Sequence, residues 1–145
     1  MIKYDFILKK VTKMKKILIL SKDNTPCITI AEGLINKYLH GIKAYSATLN
    51  PRIHIALNTK KVLDLFSAWS KLNYPKKLDT LKDIEFDLVV TVCESTDEML
   101  LPFPKKTKII YIPVQEPKDN DFDSFVSTLR EIKGKLLPIV RKKLS

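Results

Sequence analysis

The sequence predicts an α/β domain built on a parallel β-sheet, and three observations carry the prediction. Short, continuous apolar runs of strand length occur at KKILIL (15–20), FDLVVTVC (86–93) and IIYIPV (109–114), as expected of strands buried on both faces. Between and after them, apolar residues recur every three or four positions, the spacing of amphipathic helices. The alternation extends over a chain of 145 residues, which suits one domain around one core.

Taken in order, residues 1–13 (MIKYDFILKKVTK) mix charged and apolar residues too closely for a signal peptide and read as an N-terminal extension. The domain proper is expected over 14–145, with KKILIL as its first strand. The polar segment SKDNT (21–25) then leads into a helix beginning at Thr25 or Pro26, where proline suits the first turn. Ile28, Ala31, Leu34, Ile35, Tyr38 and Leu39 form its apolar stripe. After Gly41, IKAYSATL (42–49) reads as the second strand, and Ile55, Ala56, Val62, Leu63, Leu65 and Phe66 as the apolar face of a second helix. Residues 70–85, with several lysines and Pro75, read as a loop or short helical turn. FDLVVTVC and IIYIPV are the third and fourth strands. Residues 121–143 form a closing amphipathic helix through Phe122, Phe125, Val126, Leu129, Ile132, Leu136 and Leu137, kinked or shortened by Pro138. Right-handed crossovers would cover both faces of such a sheet. The binding crevice then lies beyond the strand ends, in the loops after Leu20, Cys93 and Val114.

Composition narrows the function classes. The chain is 45% hydrophobic and 29% charged, enough apolar material for a folded domain. Lys and Arg outnumber Asp and Glu by 26 to 16, a net charge of +10, which raises the question of an anionic partner. The lysines are scattered, and only 3 of the basic residues are arginine. A lysine-rich surface is therefore the expected reading, with nucleic acid a disfavoured partner. Cys27 and Cys93 lie far apart without zinc-ligand spacing, so neither a metal nor a cofactor is expected and a reducing cytoplasm is the natural compartment. No run reaches the roughly 18 apolar residues of a membrane span, and His40 and His54 read as surface residues.

The segments SKDNTPCITIAEG (21–33), AYSAT (44–48), FDLVVTVCE (86–94), PFP (102–104) and YIPVQEP (111–117) together resemble the low-molecular-weight tyrosine phosphatases. The resemblance is closest to the thioredoxin-coupled arsenate reductases, which share their fold. It implies a three-layer α/β sandwich with a four-stranded parallel sheet, of the phosphotyrosine protein phosphatase I type. It also implies a catalytic loop of the form Cys, five residues, Arg, Ser between the first strand and first helix. In such a loop, backbone N–H groups and the helix N-terminus hold an oxyanion and acidify the cysteine, while arginine grips two oxygens.

A gapless count back from Ala31, Glu32 and Gly33 places Ser21 at the nucleophilic cysteine, Asp23 at the glycine, Cys27 at the arginine and Ile28 at the serine. Lys22, Asn24, Thr25 and Pro26 complete the anion loop, with Asn24 and Thr25 fitting the pattern. A serine hydroxyl needs an adjacent base. At about 4 Å, and with an effective dielectric of about 20, the Asp23 carboxylate would oppose each charge of an anion by about 4 kcal/mol. Cys27 supplies no positive charge and reads as a small apolar filler. The general-acid Asp-Pro pair of the phosphatases is matched by Glu116-Pro117, with Glu116 expected as an exposed loop residue. Of the two further cysteines of the arsenate reductases, Cys93 matches the first, and Leu100 stands at the second. The resemblance thus implies a catalytically inactive relative that binds a protein or small anion. The alternative is a phosphatase- or arsenate-reductase-like enzyme using Ser21, Cys27, Cys93 and Glu116. Cys27 and Cys93 are expected at the same crevice.

Overall fold

A computed structural model describes residues 14–23, 25–50, 55–93 and 103–145. Its strands are β1 (Lys15–Ser21), β2 (Ile42–Thr48), β3 (Lys76–Lys77), β4 (Leu88–Thr91) and β5 (Ile109–Tyr111). They form one parallel sheet in the order β3-β2-β1-β4-β5. The helices are α1 (Pro26–Tyr38), α2 (Leu57–Leu65), α3 (Phe122–Glu131) and α4 (Leu137–Leu144).

The strand order explains how the layers are laid down. From β1 to β3 the chain steps one way across the sheet, and from β3 to β5 it steps back. Right-handed crossovers in opposite directions fall on opposite faces. Accordingly α1 and α2 share a face with Ile17, Ile19, Leu88 and Val90, and α3 and α4 join them through Leu129, Leu137 and Val140. On the other face Leu18, Leu20, Ala47 and Val89 are covered by Leu81 with Ile84, Phe86 and Phe103. Among the described residues that second layer consists of a 3-10 turn (Leu78–Leu81) and irregular segments.

The structure corrects the expected four strands to five. Lys76 and Lys77 pair with Ala47 and Thr48, inside a stretch read as a loop or short helical turn, and the turn follows at once over Leu78–Leu81. Two lysines have no strand propensity of their own. The pairing is held from the side, because Lys76 Nζ reaches Glu32 of α1 at 3.1 Å. In α2, Val62 and Leu63 are buried as expected, but Leu65 is 62% exposed because it closes the last turn on the solvent side. The closing helix is continuous, with a π-turn over Ile132–Leu136 where a kink or shortening was expected. Pro138 has no N–H for the carbonyl of residue 134, and its ring would collide with that carbonyl in a regular helix; one wider turn relieves both. The N–H of Leu137 bonds to the Ile132 carbonyl in that turn. The expected N-terminal extension, Asn24, His54 and Leu100 lie outside the described residues.

Candidate functional site

The strand order reverses between β1 and β4, so the crevice beyond their carboxyl ends is the place where α/β sheets hold ligands. Ser21 is the last residue of β1, pairs with Thr48 and is fully buried. Its hydroxyl donates to the Asp23 carbonyl, so it faces its own loop. Lys22 and Asp23 are exposed. The Lys22 carbonyl accepts from the Asn50 N–H and the Thr48 hydroxyl, both at 2.9 Å, and Asn50 Nδ2 donates to Asp23 Oδ1 at 3.1 Å. These bonds tie the loop to the end of β2. Thr25 is the N-cap of α1, with no side-chain cap bond, and Pro26 follows in the first turn. Ile28 is fully buried in the helix-side core.

Two thiols and a carboxylate meet on the other side of this loop. Cys27, in the first turn of α1, is fully buried, with its Sγ 3.8 Å from the Gln115 carbonyl. Cys93 lies two residues beyond β4, is half-buried, and its thiol donates to Glu116 Oε1 at 3.5 Å. Thr25 Oγ1 is 3.8 Å from the same sulfur. Burial pushes the Cys27 thiol far above the ordinary range, and Glu116, Cys93 and Glu131 act in the same direction. Glu131 also accepts the Gln115 N–H at 2.8 Å. The crevice is thus furnished with two sulfurs and two acidic side chains.

The structure brings Cys27, Cys93, Glu116 and Thr25 together as one cluster, while the Ser21 hydroxyl turns away into its own loop. It corrects one expectation: Glu116 is a half-buried partner of both thiols, not an exposed loop residue. The reason is topological, since β4 and β5 are neighbours and deliver the loops after them to one place. Cys27 is buried as expected, and His40 is exposed.

A polar cluster that the residue-by-residue reading missed lies further along α1. Glu32 is 2% exposed and accepts from Ser46 Oγ at 2.8 Å and Lys76 Nζ at 3.1 Å. Burial raises its pKa to about 7 against the opposing pull of Lys76. The available signal was the run Ile30-Ala31 before it and Leu34-Ile35 after it. A helix apolar on both sides of a glutamate encloses that glutamate. A cavity of about 710 Å³ lies elsewhere, lined by Leu81, Ile84, Phe86 and Phe103 at the opposite end of the sheet. It is remote from these ionisable groups, and the crevice is the better candidate on chemistry. Among the described residues no group of three His, Cys, Asp or Glu side chains could hold a metal ion. Nor is any described helix long and apolar enough to cross a membrane.

No protein-family model matches the chain, and no curated protein matches it. Solved structures do. An arsenate reductase from Archaeoglobus fulgidus superposes with a TM-score of 0.69 at 23% identity, covering 88% of this chain and 99% of its own. A low-molecular-weight protein tyrosine phosphatase from T. tengcongensis gives 0.64 at 17% identity, covering 89% and 99%. The fold is that of the low-molecular-weight phosphatases and arsenate reductases. A third structure with this phosphatase-type fold, an arginine phosphatase from Geobacillus stearothermophilus, gives 0.68 at 18% identity, covering 90% and 92%. At these identities the common property is the phosphatase-type architecture, and residue roles have to be argued from this chain's own side chains.

Proposed function

We propose that this chain is a catalytically silent protein on the phosphatase and arsenate reductase scaffold, acting by binding a partner. The observation that carries the reading is the environment of Cys27. At the position that the resemblance assigns to the oxyanion-gripping arginine, the chain has a fully buried thiol facing the Glu116 carboxylate. A dianion brought there would meet a carboxylate and no guanidinium, and like charges at such range oppose one another by several kcal/mol. Ser21 supports the same reading, because its hydroxyl is engaged by the Asp23 carbonyl and, among the described residues, no side-chain base is bonded to it.

The purified protein is expected to hydrolyse aryl phosphates no faster than buffer, and to leave arsenate unreduced in the presence of thioredoxin and its reductase. Turnover of either substrate that disappears in Ser21→Ala or Cys93→Ser would overturn the proposal.

A further inference from the structure

The binding role proposed above makes no use of the two thiols. Cys93 is half-buried and in contact with Glu116. Cys27 is buried, with its Sγ 3.8 Å from the carbonyl of Gln115, the residue next to Glu116, and Glu116 and Cys93 both raise the pKa of its thiol. The two sulfurs come from adjacent strands: Cys27 follows β1 and Cys93 follows β4, and β1 pairs with β4 up to Leu20 and Thr91. The arrangement is a partly accessible thiol bonded to a carboxylate, and a buried thiol packed against the residue next to that carboxylate.

Thiol–disulfide exchange requires an entry sulfur that a disulfide can reach, a second sulfur to resolve the mixed disulfide, and an acceptor for the protons released. We infer that Cys27 and Cys93 form an oxidisable pair that exchanges with low-molecular-weight disulfides, with Glu116 carrying the protons. In the first step the Cys93 thiol gives its proton to Glu116 and its sulfur attacks one sulfur of the disulfide RSSR. The S–S bond breaks, a Cys93–SR mixed disulfide forms, and RS⁻ leaves and takes up the proton as RSH. In the second step Cys27 gives its proton to Glu116 and attacks the Cys93 sulfur. The Cys93–SR bond breaks, the Cys27–Cys93 bond forms, and the second R group leaves as RSH. Two protein thiols are oxidised to one disulfide, and RSSR is reduced to two thiols. Burial keeps Cys27 protonated until the carboxylate receives its proton, so the second step is the slower one and depends on Glu116.

The test uses the full chain and oxidised glutathione as the disulfide, followed by denaturation, alkylation and mass spectrometry. The expected product carries no alkyl group, has lost two hydrogens, and yields a linked peptide joining residues 27 and 93. Cys27→Ser should instead accumulate the glutathione adduct on Cys93, and Cys93→Ser should leave Cys27 unoxidised and alkylatable once unfolded. Glu116→Gln should form the adduct yet close the disulfide more slowly, by roughly 100-fold. A wild-type chain that stops at the glutathione adduct, retains both thiols, or gives only intermolecular dimers overturns the inference. The outcome does not depend on the phosphatase and arsenate assays, because it rests on the placement of these three residues alone.

Discussion

Helix α1 differs between its middle and its start. In the middle, Ala31, Glu32 and Gly33, through which the sequence resembles the phosphatases, are each fixed by packing. Ala31 is fully buried, Glu32 joins β2 and β3 through Ser46 and Lys76, and a Cβ on Gly33 would lie 2.9 Å from Leu63 Cδ2 and 3.0 Å from the Ala68 carbonyl. At the start and in the loop that leads into it, Ser21, Asp23, Cys27 and Ile28 depart from the pattern of the resemblance, and each is locally satisfied. Residues whose work is packing are held by their neighbours whatever the protein does. Residues whose work is chemistry are held only while the chemistry is needed.

The largest effect is expected from rebuilding the start of the helix. Ser21→Cys, Asp23→Gly, Cys27→Arg and Ile28→Ser made together should destabilise the free protein by more than about 4 kcal/mol, because Ile28 leaves the core and a guanidinium enters the packed site of Cys27. Phosphate at a hundredfold excess over its Kd should restore about 2.7 kcal/mol, read by thermal unfolding with and without the anion. If phosphate has no effect on the folded variant, the loop is not a latent anion nest and the contrast between the two regions is misplaced. Gly33→Ala comes next, at about 3 kcal/mol by urea unfolding, since a backbone carbonyl cannot move aside as a side chain can. Pairing it with Leu63→Ala should cost less than the sum of the two, and strict additivity would show that the close approach is not the cause.

Glu32 tests the middle of the helix by pH. Its folded pKa of about 7 lies above the ordinary 4.5, so the stability it contributes is fully present below 4.5 and is lost as pH rises through 7. Wild-type stability should therefore fall across this window by about 3 kcal/mol from this group. Glu32→Gln should flatten the slope, and an unchanged slope would place the titration elsewhere. Asp23→Asn should matter least, within about 0.5 kcal/mol by the same unfolding assay, because Asp23 is exposed and its contact with Asn50 survives as an amide pair. A larger loss would mean that the start of the helix is built as tightly as its middle.

The sequence was most legible where one residue type had to serve one environment. ILIL (17–20) and LVV (88–90) are apolar throughout because both faces of β1 and β4 are buried there, and a stretch buried on both faces has no alternative. β3 was illegible because Lys76–Lys77 is a strand only through the pairing of Ala47 and Thr48 and the reach of Lys76 to Glu32, both long-range facts. Leu65 misled because helical spacing fixes a direction but not where the partner surface ends. At the site, the resemblance sent Cys27 and Cys93 to one crevice, where they lie against the neighbouring residues Gln115 and Glu116. Glu116 was misread because its burial depends on β5 lying beside β4, which no local pattern encodes.

The burial of position 27 also bears on the history open to this chain. On the proposed reading, a long cation that once pointed at solvent-borne substrate has given way to a small side chain that now belongs to the core. A single return to arginine would have to force a guanidinium into packed space before any anion was there to welcome it, and an unpaired buried charge is strongly destabilising. The neighbouring Ile28, likewise absorbed into the core, closes the second route. On that reading an oxyanion-gripping loop could be rebuilt here only by several replacements at once, because each one alone disturbs the core before it gains a ligand.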